Sequence, residues 1–153
     1  MRMILIAHRG NIDGIVNEEE NEPSYLRKAL EAGYDIEVDV RRTSNGWFLG
    51  HDTAQYKIGE DFFKTFDPAH VWYHAKNAEA LEALHAFRNL NCFWIDNDEF
   101  TFTSYGYVWV HTRTAGLPKG SICVLPELRK SNVGMVDCAG ICSDFVARYA
   151  KRK

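Results

Sequence analysis

Short apolar runs alternate with polar turns along most of this chain. They are MILIA (3–7), YDIEVDV (34–40), GWFLG (46–50), HVWYH (70–74), CFWI (92–95), YVWVH (107–111), SICVL (121–125) and GICSD (140–144). Several are rich in β-branched or aromatic residues and turn residues bound them, which predicts strands. Two stretches instead repeat their apolar positions at helical spacing. PSYLRKALEA (23–32) carries Pro23 in its first turn, a stripe of Tyr25, Leu26, Ala29 and Leu30, and Gly33 as its stop. NAEALEALHAFR (77–88) has Asn77 as N-cap and turns Leu81, Leu84 and Phe87 toward the core. A third helix is expected at 143–151, capped by Ser143 or Asp144.

Strand, helix, strand, hairpin, strand, helix, strand is an α/β order. TSNGW (43–47) centres a tight turn on Asn45-Gly46. It is too short for a parallel crossover, so the runs on either side pair as a hairpin. Beyond residue 92 the strands come about every 15 residues and leave little room for helices.

Polar residues gather at the C-terminal ends of these strands. Side chains two apart share a strand face. Glu37 and Asp39 therefore stand together, opposite Ile36, Val38 and Val40. Trp72, His74 and Lys76 share a face, as do Asp96 and Asp98, and Trp109, His111 and Arg113. Two carboxylates among buried apolar residues are costly unless neutralised, and a hard cation such as Mg2+ or Ca2+ does this with oxygen ligands. The alternative is a solvated strand face pairing with Arg41, Arg42 or Lys28. His8 and His51 are acid–base candidates because imidazole titrates near neutrality. Arg9 offers a planar fork of donors suited to phosphate. In α/β barrels the active site sits at the C-terminal strand ends.

The 153 residues predict one domain, 1–153, able to bury about two-thirds of the unfolded chain's surface. The 46% apolar and 25% charged content is ordinary for a globular protein, and a net charge of −3 leaves no basic footprint for nucleic acid. No stretch approaches the ~20 apolar residues of a membrane span, so no membrane insertion is expected. MILIA is too short for the apolar part of a leader, which places the protein in the cytoplasm. Cys92, Cys123, Cys138 and Cys142 are read as reduced thiols. The C-x3-C spacing of the last two lacks the second pair or nearby His of a zinc site.

AHRGN (7–11), EN (20–21) ahead of a helix, and EAGYDIEVDVRRTSNGWFLGHD (31–52) together resemble the glycerophosphodiester phosphodiesterase family. The resemblance covers roughly residues 4–52. It implies a TIM-type (β/α) barrel of the PLC-like phosphodiesterase type and a Mg2+- or Ca2+-dependent reaction on a small phosphodiester. On matching positions, His8 and His51 would be the acid–base pair, joined in catalysis by Arg9 on the phosphate, Glu37 and Asp39 the metal ligands, and Lys76, with His74 beside it, the substrate contacts. The alcohol's own neighbouring hydroxyl would attack phosphorus and give a cyclic phosphate that water later opens.

Two features depart from the family pattern. Its third strand ends in an acid, any residue, then Lys, whereas HAK (74–76) keeps Lys76 and puts His74 in the acid's place. The cation is then held by fewer carboxylates, by His74, or with help from Asp96 or Asp98. The chain is also far shorter than the ~250 residues typical of a full barrel. The expectation is a compact, incomplete barrel lacking several helices, with a homodimer as the other way to cover an open side. Trp72, Tyr73, Phe93, Trp94, Tyr107 and Trp109 would fill the interior or form that interface. The function expected is a metal-dependent phosphodiesterase, the alternatives being a non-catalytic phosphate-binding module, a lyase-type transfer or a phospholipase acting at a membrane.

Overall fold

A computed structural model describes residues 2–111, 117–129 and 137–150. In chain order the elements are β1 (Ile4–His8), α1 (Pro23–Glu31), β2 (Asp35–Thr43), β3 (Gly46–Leu49), β4 (Tyr56–Ile58), β5 (Val71–Ala75), α2 (Ala78–Ala86), β6 (Asn91–Phe93), β7 (Phe100–Phe102), β8 (Val108–Val110), β9 (Ser121–Val124), β10 (Gly140–Ser143) and α3 (Ala147–Ala150). The main sheet runs β6-β5-β2-β1-β10-β9-β8-β7. It is parallel except for β7, which lies antiparallel on β8. β3 and β4 form an antiparallel extension on the far half of β2.

The sheet curls until its two edges meet at Ser104. That residue donates its backbone N–H to the Cys92 carbonyl (2.8 Å). Its Oγ accepts from the Cys92 N–H (2.9 Å) and donates to the Leu90 carbonyl (2.8 Å). The architecture is thus a mixed α/β, helix-poor, curled sheet, consistent with an incomplete barrel.

Strand alternation sorts the apolar residues onto two faces. Ile6, Trp72, Phe93, Trp109, Ile122, Val124 and Cys142 fill the concave side as one cluster. The rings of Trp72 and Trp109 lie 5.8 Å apart, and those of Phe93 and Trp109 4.4 Å apart. Ala7, Ile36, Val38, Val40 and Tyr73 face outward and pack with Leu26 and Ala29 of α1 and Leu84 of α2. A 3-10 helix at Glu60–Lys64 adds Phe62 and Phe63, the latter edge-on to Trp47 at 4.7 Å. Burying a Leu such as Leu26 or Leu84 is worth about 1.5–3 kcal/mol, so these two helices are held by the sheet they cover. Around β9 and β10 the outer face is narrower, and Cys123, Cys138 and Ile141 pack with Tyr149 of α3. Phe100 and Phe102 on β7 stand 58% and 67% exposed, where a complete barrel carries further helices.

Both long helices start as expected. The Glu22 carboxylate accepts from the N–H groups of Ser24 (2.8 Å) and Tyr25 (3.0 Å), ahead of Pro23 in the first turn. Asn77 caps α2 by accepting from Ala80 N–H (3.2 Å). It also exchanges hydrogen bonds with both backbone groups of Arg42, which ties α2 to β2. The third helix is shorter than expected. Ser143 ends β10 and Asp144 lies in the turn beyond it, so neither caps a helix, and α3 begins at Ala147; residue 151 lies outside the described residues. In the hairpin, Thr43 pairs with Gly46, so Ser44-Asn45 form the turn and the left-handed φ (113°) falls on Gly46. Strands β4 and β7 have no counterpart among the apolar runs; each has three residues, too few for a periodic signal. Trp94 is 37% exposed and Tyr73 lies on the outer face, so these two do not fill the interior. Among the described residues no helix is long and apolar enough to cross a membrane.

Candidate functional site

Parallel neighbours in register point the same way, and this builds the site. His8 pairs with Glu37, and Asp39 with His74. Two β1–β2–β5 rungs therefore place these four side chains on the concave face at the C-terminal mouth.

The turn after β1 fixes the entrance. Arg9 adopts a left-handed φ of 53° and Gly10 one of 90°. A Cβ on Gly10 would lie 2.8 Å from Tyr25 Cδ1, so this turn has room only for glycine. The twist brings the Arg9 backbone N–H to Glu37 Oε2 (3.2 Å). The Arg9 guanidinium donates to Glu20 (3.1 Å), and its Nε lies 3.1 Å from Asp39 Oδ2. Strained backbone of this kind persists only where surrounding contacts enforce it.

The acidic loop 17–22 has a structural task. Glu20 accepts from Arg9 and from Asn11 Nδ2 (2.9 Å). Asn21, at φ 64°, donates its Nδ2 to Asp39 Oδ2 and accepts from the Asp39 N–H, both at 2.9 Å. The loop thus clamps Arg9 and Asp39 from above.

Glu37 and Asp39 are only 1% and 0% exposed, which excludes a solvated strand face. The cations proposed for that face are elsewhere: Arg41 donates to the Gly50 and His51 carbonyls, Arg42 lies over the Trp47 ring, and Lys28 is exposed on α1. His74 instead faces the pair, its Nδ1 3.3 Å from both Glu37 Oε1 and Asp39 Oδ1. One ligand atom from each of the three lies within 4.8 Å of the others, so the group can hold a metal ion. Asp39 Oδ1 is buried with no hydrogen-bond partner beyond the 3.3 Å approach of His74 Nδ1, so it is open to a ligand held between the two. Asp96 and Asp98 are exposed and stand outside this group.

Burial would lower the basicity of His74, but the two carboxylates outweigh it and push its pKa up to about 9. Burial would raise the Asp39 carboxyl, yet His74, Arg9 and Asn21 hold it well below the usual carboxylate range.

His8 donates its Nδ1–H to Asp144 Oδ1 at 2.7 Å. Asn11 Nδ2 donates to the same oxygen (2.8 Å), and Glu127 holds the Asp144 N–H (2.9 Å). His8 Nε2 faces Glu37 Oε2 at 3.9 Å. Burial depresses the His8 pKa, but Asp144 and Glu37 more than offset this and raise it. Asp144, a candidate helix cap by sequence alone, is instead the partner of His8 in this site. The available signal was its place one residue beyond an apolar strand, like the other polar strand ends.

His51 follows β3, and its Nδ1 lies 2.7 Å from Asp52 Oδ1. Both lie toward solvent and line an open cleft of about 290 Å³ with Arg41, Lys76, Trp94 and Asp96. Ile95, whose carbonyl accepts from His74 Nε2 (3.2 Å), lines the same cleft. The cleft with His51 and Lys76 therefore adjoins the Glu37–Asp39–His74 group. His111 lies just past β8, and Arg113 falls outside the described residues. All four cysteines are buried thiols, with Cys138 and Cys142 in different clusters.

No family model matches this sequence, no curated protein matches it, and no solved structure matches the chain.

Proposed function

We propose that this chain is a metal-dependent phosphodiesterase acting on small glycerophospho-type diesters. One observation carries the reading: His8 is held through Nδ1 by Asp144 and presents Nε2 beside Glu37, itself one of three buried residues able to hold a cation. A proton-transfer group set against a cation site is the pairing that phosphoryl chemistry needs.

The donor set fits a divalent cation, with Glu37, Asp39 and His74 as its holders. Bound there, such an ion would neutralise phosphate charge and favour in-line attack. The chain's own residues do the rest. Lys76 and Arg41 supply the cations that can meet the diester in the adjoining cleft, beside the carboxylates of Asp52 and Asp96. Arg9, fixed by Glu20 and Asp39, turns the HRG backbone toward Glu37 and adds charge at the rim. His8 and His51 share one design, each with Nδ1 tied to an aspartate, which leaves Nε2 as the proton-carrying atom. One ring accepts the proton of the substrate hydroxyl as its oxygen bonds to phosphorus. The other delivers a proton to the departing alcohol oxygen as its bond to phosphorus breaks.

The test is a panel of glycerophosphodiesters assayed in EDTA and with Mg2+, Ca2+, Mn2+ or Zn2+, using wild type, His8→Ala and His51→Ala. Each histidine variant should lose roughly 10²–10⁴-fold in turnover. Full activity in excess EDTA, or in both variants, would exclude the reaction. Thermal stabilisation by glycerol phosphate with no turnover of any diester would favour the binding module.

A further inference from the structure

We infer that Glu37, Asp39 and His74 form a mixed nitrogen–oxygen site that selects a borderline first-row divalent metal of the Zn2+ or Co2+ class over Mg2+ and Ca2+. The inference rests on the metal site of the function proposed above and goes beyond it by naming the class of ion.

The tautomer of His74 is fixed by its surroundings. The Ile95 carbonyl can only accept, so Nε2 carries the hydrogen of that 3.2 Å bond. In the neutral ring the lone pair then lies on Nδ1, the atom 3.3 Å from both carboxylates. Phe93 stacks on the ring at 4.9 Å and 16° and fixes its plane. An imidazole anchored through one nitrogen to a backbone carbonyl, with the other aimed at carboxylates, is the usual posture of a metal-binding histidine.

The carboxylates are arranged to match. Each uses one oxygen for anchoring: Glu37 Oε2 takes the Arg9 N–H, and Asp39 Oδ2 takes Asn21. Each turns its other oxygen toward His74 Nδ1. Asp39 Oδ1 is buried with no hydrogen-bond partner and only His74 Nδ1 facing it at 3.3 Å, so beside a neutral ring this acceptor lacks a donor and a cation seated between the two would satisfy it.

Ligand chemistry then separates the ions. Ca2+ takes six to eight oxygens and Mg2+ keeps a near-octahedral set of oxygens and waters. Imidazole nitrogen suits Zn2+ and its first-row neighbours. Two carboxylates and one histidine are three protein ligands, the number that leaves Zn2+ a position for substrate.

The test uses the full chain stripped with EDTA. Zn2+, Co2+, Mg2+ and Ca2+ are titrated separately by calorimetry into wild type and His74→Glu, an all-carboxylate comparator. Wild type should prefer Zn2+ and Co2+ over Mg2+ by roughly 100-fold or more, and His74→Glu should narrow that ratio by about tenfold or more. In histidine 15N spectra, Zn2+ should move the His74 Nδ1 resonance while the Nε2–H persists. An unchanged ratio in a folded His74→Glu, or no Nδ1 shift at saturating Zn2+, overturns the inference. If His74→Glu does not fold, the nitrogen spectrum of wild type decides alone. Neither readout needs turnover. Zn2+ bound through Nδ1 in a chain that cleaves no diester keeps this inference and removes the reaction; Mg2+-dependent turnover without an Nδ1 shift does the reverse.

Discussion

His8 and Asp144 lie 136 residues apart in sequence and 2.7 Å apart in the fold. The cause is register. Ile6 of β1 pairs with Cys142 of β10, and two residues further on, at the end of β1 and in the turn just past β10, the side chains meet at the same mouth. Asp144 holds the His8 tautomer and raises its basicity against the effect of burial. It acts through His8, as a positioning residue. Asp144→Asn keeps the shape and removes the charge. The His8 pKa should fall in an NMR titration, the His8 limb of the pH–rate profile should move to lower pH, and turnover should drop roughly 10–100-fold. An unmoved His8 titration would show that Asp144 is only structural.

Asn21 makes two hydrogen bonds to one residue, Asp39, through its side chain. Asn21→Ala leaves the buried Asp39 N–H and Oδ2 short of partners, at a cost of about 1–3 kcal/mol. Metal affinity should weaken about 10–100-fold, as when a partner behind a ligand is lost. Urea unfolding and metal titration measure the two effects. Normal metal affinity in a destabilised variant would confine Asn21 to holding the loop.

Much of this was legible in the sequence because the chain obeys local rules there. Leu26 and Ala29 at helical spacing, and Glu37 and Asp39 two apart on a strand, are patterns of a few residues. The first pair packs against the sheet and the second shares a buried face. His8, Arg9, Glu37, Asp39 and His74 do converge, while His51 and Lys76 line the adjoining cleft. What stayed hidden depends on distant pairing. Asp144 follows GICS and reads locally as a helix cap; only β10 lying beside β1 makes it a partner of His8. Asn21 is legible as half of the EN motif (20–21), but its surrounding run of acids looks locally like a solvated loop, and only the fold shows that it sits over Asp39. β7 is three residues long and is defined by β8, not by its own pattern.

Ser104 replaces a strand neighbour at the seam between β6 and the chain beyond β7. Its hydroxyl serves the Cys92 N–H and the Leu90 carbonyl at once. Ser104→Ala should cost about 1–3 kcal/mol, lowering the melting temperature by a few degrees at about 2–4 °C per kcal/mol for a chain of this size. Hydrogen exchange at Cys92 should rise with it, while the β1–β2–β5 mouth keeps its protection. Unchanged exchange at Cys92 would show that the seam is held by other contacts.

In the metal-free chain, His74 and Asp39 set opposite limits on stability. The fold raises His74 from an ordinary value of 6.5 to about 9, so it favours the protonated ring. That contribution is complete below pH 6.5 and is lost as pH rises through about 9. The fold lowers Asp39 from an ordinary value of 3.8, so its contribution is complete above that value and vanishes only in strong acid. With EDTA present, the melting temperature should therefore decline between about pH 6.5 and 9. His74→Gln keeps a polar ring-sized group but cannot titrate, and it should flatten that decline. Parallel declines in the two proteins would place the alkaline limit on another group.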